Sequence, residues 1–132
     1  MYLLDAPVLF ELRKSAEAAS PEVRRWAANV PFDQIFVSVL TLVDMERQAL
    51  AEASGDAGIR LWLADLRQSF ALRAVPFTLD AVDRAAAFAQ AGLSLPDAAL
   101  AAQADLRQLM LITPDPGRFA ASGIKCLDPW TA

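Results

Sequence analysis

Histidine is absent from this 132-residue chain, and cysteine occurs once, as Cys126. Without histidine the chain lacks the side chain that most often moves protons near neutral pH. The two scarcities together exclude an intrachain disulfide and any zinc site built on histidine or a cysteine cluster. Cys126, with Ile124 and Leu127 beside it, reads as a small buried thiol in a strand, because no imidazole exists to activate it as a nucleophile. No Gly/Ser linker, internal repeat or low-complexity tail interrupts residues 1–132, so a single domain with its own core is expected. No window of membrane-spanning length is free of charge, which predicts a soluble protein. The opening segment MYLLDAPVLFELRK has an acid at Asp5 and no basic leader, so no signal peptide is expected and the cytoplasm is the default compartment. A formal net charge of −4 argues mildly against a chain that grips nucleic acid through an overall positive field. The basic residues are grouped, however, as Arg13-Lys14, Arg24-Arg25, Arg60 with Arg67, and Arg107. For each group a solvated helix face is the ordinary role and phosphate binding the sharper alternative.

What is present alternates in an α/β manner. Tyr2-Leu3-Leu4 is a short apolar run suited to a buried strand, and Pro7 then fits the first turn of a helix that turns Val8, Leu9 and Leu12 inward. Ser20 with Pro21 opens a second helix through Trp26. Ile35 to Val39 is β-branched and aromatic, a second strand. Leu40 to Ala53 follows as a helix with Leu42, Met45, Ala49 and Leu50 at helical spacing and Asp44 in its first turn. Turns at Gly55 and Gly58 lead to a second amphipathic helix, Ile59 to Leu72, carrying Leu61, Trp62, Leu66 and Phe70, so that the two form a hairpin. Ala74-Val75 makes a weak strand that Pro76 confines to an edge. Thr78 is placed to cap a helix from Leu79 to Ala91 closed by Gly92, and an alanine-rich helix opens near Asp97. Leu109 to Thr113 is the clearest strand, followed by the Pro114-Asp115-Pro116-Gly117 turn, and Ile124 to Leu127 is the last. The expected fold class is α/β, a central, mostly parallel sheet of about five strands with helices on both faces.

Four aspartates stand out. Asp5 ends the first strand, Asp115 follows the fourth, and Asp44 and Asp97 lie early in helices, so all four can face the carboxyl edge of the sheet where ligands of such folds collect. A cap or turn role is the ordinary explanation for Asp97 and Asp115. Asp5 differs, because a carboxylate ending a strand buried on both faces is costly unless a cation or hydrogen bonds hold it.

The segment MYLLDAPVLFELRK resembles the opening of PIN-domain ribonucleases of the VapC toxin type. Ser38 to Asp44, Pro96 to Ala102 and Leu111 to Asp115 are similar, in order and spacing, to the segments bearing the family's second, third and fourth acidic positions. Phe119, Gly123 and Asp128-Pro129-Trp130 match its tail, so the likeness covers nearly the whole chain. The resemblance implies a PIN-like fold and a Mg²⁺- or Mn²⁺-dependent endoribonuclease, with Asp5 and Asp97 as leading metal ligands, Asp115 next and Asp44 last. It also implies RNA as substrate, a cognate antitoxin as partner in a type II toxin–antitoxin system, and a homodimer. Four converging carboxylates would repel until a divalent ion neutralised them, and oxygen donors suit Mg²⁺ or Mn²⁺. The ion, or a pair roughly 3.5–4 Å apart, would orient a water for in-line attack on phosphorus.

The chain departs from the family in the same motif. Ala6 and Pro7 stand where threonine and asparagine are usual, Gln103 where threonine is, Pro114 where a basic residue is common, and Asp44 where glutamate is. Loss of groups that hydrogen-bond metal ligands costs about 10- to 100-fold in affinity or activity. One alternative is therefore a degenerate domain that binds a partner through the apolar remainder of Leu40 to Leu72 without cutting RNA. Another is a response-regulator-like domain using Mg²⁺ for phosphoryl transfer. It ranks last, since no acidic pair precedes Asp5 and Lys125 lies inside the final predicted strand. Arg13, Lys14 and Arg107 are candidates to steer RNA toward the acids.

Overall fold

The computed structural model describes residues 1–51 and 57–132. Its sheet is built from β1 (Tyr2–Leu4), β2 (Ile35–Ser38), β3 (Ala74–Val75), β4 (Met110–Ile112) and β5 (Cys126–Leu127). The strands lie in the order β3-β2-β1-β4-β5 and every pairing is parallel. Between them run α1 (Ala6–Arg13), α2 (Pro21–Ala28), α3 (Val39–Ala51), α4 (Ala57–Ser69), α5 (Val82–Gln90) and α6 (Leu95–Arg107). A 3-10 segment at Pro116–Ser122 connects β4 to β5.

Successive strand residues alternate between the two faces, and each face has its own core. Leu4, Val37 and Ile112 pack against Val8, Val23, Met45 and Leu63 from α1 to α4. Leu3, Leu111 and Val75 pack on the other side against Ala98, Ala101 and Ala104 of α6 and against Phe119. The alanines of α6 allow a helix to sit close to the sheet, and Ala102 meets Ala81 and Ala85 on its remaining flank. Because the chain leaves β1 toward β2 on one side and returns to β4 on the other, the strand order reverses at β1. The carboxyl ends of β1 and β4 thus flank the crevice of an open α/β sheet.

Several local readings shift. Val39 begins α3 and not the end of β2, because Ser38 Oγ accepts the Leu40 N–H at 3.1 Å and turns the chain into a helix. With that start, Asp44 lies in the second turn of α3. Leu50 and Leu61 are exposed, the latter half a turn round from buried Ile59 and Leu63. Thr78 opens a 3-10 turn (Leu79–Ala81) and its hydroxyl goes to Asp80, so it does not cap α5. Leu109, Thr113 and Ile124 fall outside the strands. Lys125 precedes β5, at the amino edge of a parallel strand and away from Asp5, which removes the response-regulator arrangement. Ala53 and the Gly55 turn lie outside the described residues. Among the described residues no helix is long and apolar enough to cross a membrane.

Candidate active site

Asp5 follows β1 directly and is held from three sides. Its Oδ1 accepts the Ala6 N–H at 3.0 Å, which makes it the N-cap of α1. Its Oδ2 accepts the Thr113 hydroxyl and an Arg118 guanidinium N–H, each at 2.9 Å. Asp5 is only 6% exposed, and these partners are what make a buried carboxylate tolerable there. Thr113 in turn accepts the Asp115 N–H at 3.2 Å, tying the turn after β4 to the same point.

Asp97 arrives from α6. The cap of that helix is Ser94, whose Oγ accepts the Asp97 N–H at 3.3 Å, so the Asp97 carboxylate is not used as a cap. It reaches Arg118 Nε at 3.0 Å. One guanidinium therefore spans two carboxylates whose positions are 92 apart in sequence (97 − 5), and it lies 4.6 Å above the Phe119 ring. Burial works against the Arg118 charge, but Asp5 and Asp97 outweigh it and hold the guanidinium pKa above its ordinary value.

A cavity of about 580 Å³ opens over this point, with Asp5, Asp44 and Asp97 in its lining, together with Arg47 and Arg118. Apart from Thr41 the rest of the wall is apolar, Leu40, Val43 and Phe77 included. Asp44 shares the cavity but bonds within its own helix. Its Oδ1 accepts Arg47 at 2.7 and 3.1 Å and its Oδ2 accepts Gln48 at 2.9 Å. Hydrogen bonding from Arg47 draws its pKa below the ordinary carboxylate value. Asp115 is exposed on the turn and stands outside the cavity lining. The four-carboxylate cluster is thus reduced to a pair, Asp5 and Asp97, with Asp44 nearby. Arg118 offsets the repulsion between Asp5 and Asp97, and Arg47 offsets the charge of Asp44. Among the described residues no three of His, Cys, Asp or Glu stand close enough to hold one ion. The pair itself suits a hard divalent cation, since both carboxylates already converge on one positive charge, and Mg²⁺ is commonly bound by one or two carboxylates plus waters.

Arg118 carries no periodic or motif signal in the sequence beyond following the Pro-Asp-Pro-Gly turn of a carboxyl-edge loop. The cations proposed from sequence lie elsewhere. Lys14 pairs with Glu11 at 2.8 Å and Arg13 lies 5.7 Å from the Trp62 ring centre, both at the end of α1 remote from Asp5. Arg107 borders a different cavity, beside Gln103 and Pro76. Gln103 is buried, accepting the Ser38 hydroxyl at 2.7 Å and donating to Val75 O at 3.1 Å, so it ties α6 to β2 and β3 and is not part of the acidic pair. Cys126 is half-buried, and burial together with the Asp5 charge pushes its thiol pKa up, in keeping with an inert thiol.

The family model described as "PIN domain" matches residues 2–123. FitAcB from Neisseria gonorrhoeae superposes with a TM-score of 0.85 at 22% identity, with all of each chain covered. A toxin-antitoxin complex from Klebsiella pneumoniae gives 0.71 at 26% identity, covering 98% of each chain. DNA-bound VapBC from Salmonella typhimurium gives 0.74 at 17% identity, covering 97% of each. No curated protein sequence matches this one.

Proposed function

The chain belongs to the PIN domain family, and from that premise we propose that it is a divalent-metal-dependent endoribonuclease, the toxin of a type II toxin–antitoxin pair. The observation that carries this reading is the convergence of Asp5 and Asp97 on a single cation at the crevice between β1 and β4. When bound there, Mg²⁺ or Mn²⁺ would orient water and neutralise charge developing on a phosphodiester. Asp5 and Asp97 would hold the ion, Asp5 fixed by Thr113 and the Ala6 N–H and Asp97 fixed by the Ser94 cap. Asp44 and Asp115 are the peripheral acids in this reading, at the cavity wall and at the turn. Hydrolysis adds water oxygen to phosphorus, breaks the bond to the departing ribose oxygen and leaves the proton on that oxygen. Thr113 offsets part of what Ala6 and Pro7 lack, since its hydroxyl already orients Asp5. The apolar wall of Leu40, Val43 and Phe77 suits the sugar and base faces flanking the cut, and Arg47 and Arg118 supply the positive charge that the net balance withholds.

The partner in this reading is a cognate antitoxin, as in the toxin–antitoxin complexes this fold resembles. A homodimer and a cytoplasmic setting complete the proposal. The test is RNA cleavage in Mg²⁺ or Mn²⁺ beside an Asp5→Asn/Asp97→Asn double variant, with melting followed as metal is added. Cleavage and a metal-dependent rise in melting temperature, both lost in the variant, are expected. Cleavage that survives chelation or the double substitution would refute the assignment.

One observation favours a second reading. Asp44 is committed to Arg47 and Gln48, while Val43, Leu50, Leu61 and Leu72 leave apolar surface exposed on and beside α3 and α4. A PIN domain that binds its partner through this surface without cutting RNA would show no cleavage and no metal response in the same experiment, and would bind the antitoxin in a separate affinity measurement.

A further inference from the structure

Resting on the metal-dependent reading above, we propose that Arg118 is an exchangeable cation: it closes the acidic pair in the metal-free protein and becomes the ligand of the substrate phosphate once the pair has taken up a divalent ion. Lone-pair bookkeeping on Asp5 supports the first half. A carboxylate offers about four acceptor directions, two per oxygen. Oδ2 already uses both, for Thr113 and Arg118, and Oδ1 uses one for Ala6. Oδ2 can ligate a metal only if one of these donors withdraws; Thr113 is fully buried whereas the Arg118 side chain is partly exposed, and the same guanidinium sits on Asp97 Oδ2.

Charge gives the second half. Asp5 and Asp97 contribute two negative charges and Arg118 one positive charge. A divalent ion neutralises the pair completely, so the guanidinium loses its attraction there and faces a like charge instead. The remaining carboxylate in the lining, Asp44, is already paired with Arg47, so the anion left for the guanidinium is the phosphodiester of a bound substrate. Arg47, the other cation in the lining, is held by Asp44. Its surroundings leave Arg118 an accessible path to such a ligand. Its side chain is 35% exposed, it springs from a 3-10 segment at the rim, and the Phe119 ring offers its guanidinium a face that does not depend on the carboxylates. The planar fork that now spans two carboxylates matches a phosphate equally well.

The proposal makes metal and Arg118 competitors, so the test measures Mn²⁺ itself. Free Mn²⁺ is followed by electron paramagnetic resonance as the full-length wild type, Arg118→Gln and, as a control without the pair, Asp5→Asn/Asp97→Asn are titrated. Binding of a labelled phosphorothioate oligoribonucleotide to the Mn²⁺-loaded proteins is measured by anisotropy. Arg118→Gln is expected to bind Mn²⁺ about 3- to 10-fold more tightly than wild type. The loaded variant is expected to bind the oligonucleotide more weakly, with a salt-dependence slope smaller by about one. Equal or weaker Mn²⁺ binding by Arg118→Gln, with wild type binding normally, would overturn the exchange and leave Arg118 as a group that only orders the acids. Tighter Mn²⁺ binding with unchanged oligonucleotide affinity would overturn it too. Absence of Mn²⁺ binding in both would overturn the metal-dependent reading itself. If Arg118→Gln does not fold, Arg118→Lys carries the same test, because one ammonium cannot span both carboxylates as the fork does. It too must bind Mn²⁺ more tightly than wild type for the proposal to stand.

Discussion

Asp5 and Asp44 line one cavity, yet they are held in opposite ways. The side-chain partners of Asp5 are 108 and 113 positions away, and its carboxylate is buried. The partners of Asp44 are three and four positions away on its own helix, and its side chain is 48% exposed. A carboxylate held across the sheet depends on the whole fold and rigidifies the point where strands diverge. One held by its own helix is a solvated i,i+3 and i,i+4 pair of little energetic weight. The difference separates the acid that can anchor chemistry from the acid that borders it.

Substitutions can break this contrast in graded steps. Asp5→Ala has the largest expected effect on stability, about 2–3 kcal/mol, because Thr113 and Arg118 lose a charged, buried acceptor together. Urea denaturation should reveal it, and RNA cleavage should vanish with it. A second long-range tie without charge is Gln103, and Gln103→Leu is expected to cost about 1–2 kcal/mol by taking the acceptor from the buried Ser38 O–H and the side-chain donor from the Val75 carbonyl. A loss no larger than that of a surface substitution would mean the Ser38–Gln103–Val75 tie does not hold α6 to the sheet.

Asp97→Ala sharpens the comparison from within the pair. It removes one of the two carboxylates on a partly exposed arginine, so the expected stability change is about 1 kcal/mol or less, while metal response and cleavage are lost. Asp44→Ala should cost no more than about 0.5 kcal/mol at neutral pH. Hydrogen bonding from Arg47 depresses the Asp44 pKa in the folded protein, so its small contribution is present above the ordinary carboxylate value of 3.8 and fades as pH falls below it. The gap between wild type and Asp44→Ala in urea midpoint should therefore close in acid. A gap that widened there would show that Asp44 is protonated more easily in the folded state than in the unfolded one, the reverse of an acid held by Arg47.

Much of this could be read along the chain. The proline-led helix start at Ser20, the apolar strand cores, the alanine-rich character of α6 and the edge placement of Ala74-Val75 all follow from neighbours within a turn or a strand, whereas the α6 cap is Ser94 and not Asp97. Exposure was harder to read, since Leu50 and Leu61 satisfy helical spacing but lie outside the stripe that the sheet covers. Arg118 was invisible, because an arginine after a Pro-Asp-Pro-Gly turn looks like any solvated loop cation.

The sequence by itself determined the succession of elements, the position of each aspartate along the chain and the absence of histidine or cysteine chemistry, because these depend on composition and short-range periodicity. Tertiary structure alone decided that Asp5 and Asp97 share Arg118, that Asp44 turns to its own helix and that Asp115 stays outside the cavity. Those outcomes depend on sheet order and on which lone pairs and donors meet across about a hundred residues, and no local pattern encodes such a meeting.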